Sequence, residues 1–197
     1  MFMQDFDRLA THSMAVSPTA PAGLTAATMI ETANGWRRAE ALRMGDRIYT
    51  MDGGLRPVLG LTRTWLNPGE GSLVHIPGGA FDNCDDLLLP EGQLVLVQTG
   101  DDAAFPDALV ALAPAVALVG LCGITRRGLS MSMELIQPHF AQEEVIWGNS
   151  GVQLFCPAIG RPESITESLD FTVLSIVEAR NLLSRRRHDR SALPMAA

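Results

Sequence analysis

The chain has 197 residues, 47% of them hydrophobic and 19% charged, which suits one domain with a sizeable core and argues against global disorder. A formal net charge of -7 gives no basic footprint for nucleic acid. Three cysteines, Cys84, Cys122 and Cys156, show no Cys-x-x-Cys spacing and cannot all pair with one another, so a disulfide framework is not expected and a reducing cytoplasm is the expected setting.

Residues 1–22 lack periodicity, end in Ser17-Pro18-Thr19-Ala20-Pro21-Ala22 and read as a flexible lead-in. They carry Asp5, Asp7 and Arg8 with no long apolar stretch, so they do not have the pattern of a secretory signal. A dense β pattern begins at 28–32. Residues 38–44 read as a short helical turn closed by Gly45, and 47–51 as a strand. Asp52-Gly53 is a hairpin signal of the primed-turn kind, with 56–65 as one return strand and Pro57 near its start. Strands follow at 72–76 and 86–89. Residues 93–99 alternate poorly, as a strand buried on both faces does.

Residues 108–124 carry no charge, yet the run is short for a bilayer crossing and is interrupted by Pro114, Gly120 and Gly123. It reads as buried core. Within it, 109–117 fits either a strand or a short helix, with a break at Pro114. Residues 133–137, 144–148 and 152–156 form a further β group, the last two joined through Asn149-Ser150-Gly151. Phe171, Leu174, Val177 and Leu182 then recur at near-helical spacing, predicting a closing helix over 171–184 with Asp170 as its N-cap. Arg185-Arg186-Arg187-His188-Asp189-Arg190 opens a solvated basic tail, 185–197. Many short strands and one terminal helix make the fold class mostly β, in a single domain.

The usual chemical constellations are missing. The acidic stretch 82–86 lacks the spacing of a calcium loop, and His12, His75, His139 and His188 have no mutual ligand spacing, so no metal is expected. There is no Gly-x-Ser-x-Gly elbow and no phosphate-binding glycine loop, and no cofactor is expected. Trp36, Trp65 and Trp147 read as core or partly exposed packing residues. Among the thiols, Cys84 sits among carboxylates that disfavour a thiolate, Cys122 reads as a small core residue, and Cys156 reads as structural at a strand end before Pro157.

Several blocks, in order, carry a resemblance. Gly23-Leu24-Thr25-Ala26-Ala27-Thr28-Met29-Ile30 and the later Ala41-Leu42-Arg43-Met44-Gly45-Asp46 resemble the opening of a Hint (hedgehog/intein) self-processing domain, where the first run reads Cys-Phe-x-x-Gly-Thr-x-Ile. Leu89-Pro90-Glu91-Gly92-Gln93 stands in the place of that family's Ser/Thr-Pro-x-His element. Glu144-Val145-Ile146-Trp147-Gly148-Asn149-Ser150 and Val177-Glu178-Ala179-Arg180-Asn181-Leu182-Leu183 are similar to a turn and a closing helix of a bacterial, stand-alone Hint subfamily. The resemblance implies a compact Hint-like β fold over 23–184.

It also implies three degenerate positions. In the family a Cys or Ser attacks the carbonyl before it, and the Thr-x-x-His element holds and protonates the departing amide. Here the nucleophile position is Gly23, the Thr position Leu89 and the His position Gly92, and none carries the atoms the chemistry needs. The expected function is therefore a non-processing Hint domain, not an enzyme, kept as a binding or accessory module for an unidentified protein partner. The alternative is an active self-cleaving domain with another nucleophile. No nucleic-acid partner and no membrane span are expected.

Overall fold

The computed structural model describes residues 20–100, 104, 108–160 and 171–192. The lead-in before Ala20, with His12, and the candidate cap Asp170 lie outside these residues, as does the end of the tail after Ala192.

The described chain forms fourteen strands, two 3-10 turns and one α-helix. The first five strands are β1 (Leu24–Thr25), β2 (Met29–Thr32), β3 (Gly35–Arg38), β4 (Arg47–Thr50) and β5 (Gly54–Pro57). Then come β6 (Gly60–Leu66), β7 (Ser72–Ile76), β8 (Leu87–Pro90), β9 (Leu94–Gln98) and β10 (Val110–Pro114). The last four are β11 (Thr125–Gly128), β12 (Met133–His139), β13 (Glu144–Gly148) and β14 (Val152–Cys156), followed by α1 (Ile176–Ala192).

The largest sheet runs β10-β9-β14-β13-β2-β4-β5, with β3 paired to β2; β1-β12-β6 and β11-β7-β8 form two smaller sheets. Every named strand pairing is antiparallel. The main core gathers Ile30, Ile48, Val95, Val97, Ile146 and Leu154 against Leu24, Leu89 and Ile136 of the smaller sheets. A second cluster on the opposite face holds Leu94, Leu96, Val145 and Phe155, with Phe171 and Val173 packed on it. Alternate residues of β9 thus feed both clusters, which is why its sequence shows no polar alternation.

Four local expectations change. The β4–β5 hairpin pairs Thr50 with Gly54, so its loop is Met51-Asp52-Gly53, and the positive φ of 63° falls on Gly54. That is a three-residue turn with a left-handed closing residue, not a two-residue primed turn at Asp52-Gly53. The return strand 56–65 is two strands in two sheets. Pro57 has no N–H to continue the ladder, Val58 N–H donates to Asp46 O, and Leu59 N–H donates to His139 O, so the chain crosses to β12. Residues 109–117 are both alternatives in turn: β10, then a 3-10 turn at Ala115–Leu118. Cys122 is exposed at φ 44°, not buried, because it lies in the turn between Gly120 and Gly123.

The closing helix starts and ends later than its apolar spacing predicts. Ser175 caps it: Glu178 N–H donates to Ser175 Oγ at 3.2 Å while Ser175 N–H donates to Glu178 Oε2 at 2.8 Å, a reciprocal capping box. Leu174, Ala179 and Leu182 are buried, whereas Val177 is 47% exposed and does not dock. Helical backbone continues through the basic run to Ala192, where the sequence reads as a tail. Trp65 is largely exposed on β6 and takes no part in the core. No helix among the described residues is long and apolar enough to cross a membrane.

Candidate functional site

The segment entering β1 lies against the turn leaving β8, and the two form a cleft. Pro90 accepts from Gln93 N–H at 3.0 Å, closing a tight turn that presents Glu91, Gly92 and Gln93. The 3-10 turn behind it clamps this loop from the other side. Ala115 N–H donates to Gln93 O at 2.8 Å and Val116 N–H to Glu91 O at 3.2 Å. Across the cleft, β1 is held by β12 through Leu24↔Ile136 and by the Thr25 hydroxyl, which donates to Leu88 O at 3.0 Å.

The entering segment and the turn bond directly. Gly92 N–H donates to Pro21 O at 3.1 Å, and Gly23 N–H donates to the Gln93 side-chain Oε1 at 2.8 Å. Gln93 is 0% exposed, and its orientation is fixed from behind: Nε2 donates to Leu94 O at 3.0 Å and Phe155 O at 2.9 Å. With both amide hydrogens committed, only the oxygen is left to face Gly23. Gly23 itself sits at φ 122°, a backbone region that glycine enters most readily.

Of the three positions singled out in the sequence, Gly23 and Gly92 therefore meet in one cleft. Leu89 does not present a side chain there. It is fully buried in the main core, paired with Val74 across β7. Gln93 is the residue that sequence reasoning passed over. Its one signal was a polar side chain at the head of an otherwise apolar strand.

Glu91 braces the rim by accepting from Arg126 Nε and from Ser72 Oγ. Burial raises the Glu91 carboxyl, but these two partners outweigh it and leave its pKa below the ordinary value. Thiols lie elsewhere or are inert. Cys84 and Cys122 are exposed on other loops. Cys156 is fully buried, and burial, with the Glu144 charge second, pushes its thiol far above the range in which a thiolate forms. His75 bonds Asp86 and His139 bonds Thr62, each Nε2 at 2.8 Å from its partner. Among the described residues no group of three or more side chains could hold a metal ion. What the cleft offers is hydrogen bonding to an extended backbone: an amide N–H, a carboxamide oxygen and a glycine floor.

A second polar cluster lies at the acidic turn. Asn83 Nδ2 donates to Pro77 O at 3.0 Å and Asp85 O at 2.7 Å, and Asn83 Oδ1 accepts from Phe81 N–H. Asn149 accepts Met29 N–H at 2.8 Å and donates to Asp86 O at 3.0 Å, while its own backbone bonds Met29 O and Cys84 N–H. The acidic run is therefore ordered by carboxamides and backbone. Burial of Asn83 and Asn149 marks the cluster as structural.

Residues 22–153 match the family described as Hint domain. The fold is similar to that of a splice-inactive variant of the AceL NrdHF class 3 split intein, with TM-score 0.50 and 13% identity over 70% of this chain and 99% of that one. It is also similar to an intein-like domain from Clostridium thermocellum, with TM-score 0.52 and 15% identity over 68% of this chain and 99% of that one. At such identity the likeness concerns the fold alone. The chain has no match among curated proteins.

Proposed function

We propose that this chain, which belongs to the Hint domain family, does not process itself and is kept as a binding or accessory domain. One observation carries the reading: the cleft that joins Gly23 to Gly92 and Gln93 contains backbone and a carboxamide where acyl transfer needs a nucleophile and a proton donor. Shifting the Ala22 carbonyl onto a side chain would require a thiol or hydroxyl at position 23 to form the new bond, and an acid to protonate the departing Gly23 nitrogen. Gly23 has no side-chain atom, and a carboxamide does not give up a proton near neutral pH.

The packing adds support. A side chain at position 92 has no room, because a Cβ there would lie 2.7 Å from Ala20 O and 2.8 Å from Pro21 O. The entering segment fills the space from which an acid would act. Prolonged incubation with dithiothreitol or hydroxylamine, followed by intact-mass measurement, tests the reading. The full 197-residue mass should persist. A product beginning at Gly23 overturns it.

A further inference from the structure

We propose that the face of the large sheet turned away from the main core carries a cation site, built by Glu31, Trp36, Tyr49 and Trp147, that takes a lysine side chain of a partner protein. The site stands apart from the cleft, so it holds whether or not the chain processes itself. Its starting point is a branch in the sheet. β2 pairs with β13 through Gly148↔Ile30 and with β4 through Thr32↔Ile48, while β13 and β4 pair with each other through Ile146↔Thr50. Ile30, Ile48 and Ile146 belong to the main core. Alternation along the strands therefore turns Glu31, Tyr49 and Trp147 to the other face, one from each of the three strands that meet. Val145 and Met51 mark that side, since both pack in the opposite cluster and stand two residues along from Trp147 and Tyr49. Trp36 on β3 lies directly across from Glu31.

Opposed residues on neighbouring strands hold their Cβ atoms about 4.5–5.5 Å apart, so three aromatic rings and one carboxylate are neighbours on one surface. That surface is open. Trp36 is 44% and Tyr49 40% exposed, and Glu31 and Trp147 are half-buried. Among the described residues the three rings do not stack on one another, and the Glu31 carboxylate has no ion pair. Arg38 is paired with Glu40 and Arg47 donates to Leu55 O, so the nearby arginines are engaged elsewhere. An uncompensated carboxylate among aromatic rings is chemistry that binds a cation, because the rings add the attraction of their negative faces to a full charge. A compact ammonium fits between several rings, whereas a planar guanidinium stacks on one and seeks a forked partner. The sequence contains no lysine, so the chain brings no ammonium side chain of its own and the occupant comes from a partner.

The test uses the full chain labelled with nitrogen-15, whose three tryptophans give the site and its control in one spectrum. Single Trp→Phe variants assign the indole N–H signals. The probe is the blocked tripeptide acetyl-Ala-Lys-Ala-amide, compared with its norleucine analogue, which keeps a carbon stem and lacks the charge. The lysine probe should shift the Trp36 and Trp147 signals in a saturable way, with a dissociation constant on the order of mM, and leave Trp65 on β6 unmoved. Glu31→Gln and Tyr49→Leu should each weaken binding about fivefold or more while the melting curve stays in place. Glu31→Gln decides the matter if Tyr49→Leu fails to fold. An equal response to the norleucine analogue would mean a plain apolar patch and overturns the proposal. An equal shift at Trp65, or an unchanged affinity in Glu31→Gln, overturns it as well. So does tighter binding of choline chloride than of the lysine probe at matched ionic strength, which would assign the site to a small quaternary ammonium instead of a protein side chain.

Discussion

The cleft under the entering arm and the turn around Asn149 both use a buried carboxamide to join segments far apart in sequence, yet their partners differ in kind. Asn149 ties β2 to the turn before β8, and every group it satisfies belongs to the body of the domain. Gln93 faces both ways, with Nε2 on the β14 carbonyl of Phe155 and Oε1 on the arm. Gly92 donates its N–H to the arm at Pro21 O. The series runs from a residue that holds the fold together to one that makes room for the chain's own entering segment, and a single family scaffold carries both.

The sharpest way to break this contrast is at Asn149. Asn149→Ala would strip partners from Met29 N–H and Asp86 O, both in part-buried hydrogen bonds, where an unsatisfied group costs about 1–3 kcal/mol at most. It would also place alanine at φ 48°, which an Asn tolerates better. A loss of roughly 2–4 kcal/mol is expected from urea unfolding. A loss below ~1 kcal/mol would show that the turn is ornamental and that the contrast is false.

Gln93→Ala comes next, at about 1–3 kcal/mol, because Phe155 O keeps no replacement for Nε2 while Gly23 N–H can turn to water once the arm lifts. Its m-value should match that of the unaltered chain if only the arm is freed. Gly92→Ala should change global stability least of the three. Alanine restricts the unfolded chain and gains about 0.4–1 kcal/mol where the native φ suits it, which offsets part of the lost arm contact. A melting temperature close to that of the unaltered chain, together with a released arm, is the expected outcome. A loss as large as that of Asn149→Ala would mean that the arm is part of the core.

How much of this was legible depended on whether local chemistry or distant pairing decided each feature. The β2, β4, β7, β13 and β14 strands follow from short apolar runs between turn residues, and the two-sided burial of β9 from its lack of alternation. Gly23 and Gly92 could be named from motif order, and the fold brings them together. The break at Pro57 was hidden because 56–65 reads as one pattern, and only the pairing of Val58 with Asp46 and of Leu59 with His139 splits it. Cys122 looked buried from its apolar neighbours, but the glycines on either side turn it outward. The helix start falls later than the spacing predicts because Phe171 packs on a different cluster from Leu174 and Leu182, so its spacing mimics one helical face. Gln93 offers only a polar side chain ahead of a strand as its signal, since its distant partners, Gly23 and Phe155, lie 70 and 62 residues away.

The smallest expected effect distinguishes the two regions by their acid response. Each holds one carboxylate whose pKa lies below its ordinary value: Asp86 at the turn, chiefly through its hydrogen bond with His75, and Glu91 at the cleft, where Arg126 and Ser72 outweigh burial. A lowered folded pKa means that the stabilisation is present above the ordinary carboxylate value and is lost as pH falls through the folded one, so both act below roughly pH 4. The side chains differ in exposure, 69% for Asp86 and 20% for Glu91, and solvent screens the more exposed contact more strongly. Glu91→Gln should therefore lower the urea midpoint at pH 7 and flatten its decline toward pH 3 more than Asp86→Asn does. If Asp86→Asn flattens the acid limb more, the turn is the acid-sensitive end of the molecule. The cleft would then rest on its backbone bonds alone, and Glu91 with Arg126 would be a surface pair of little consequence.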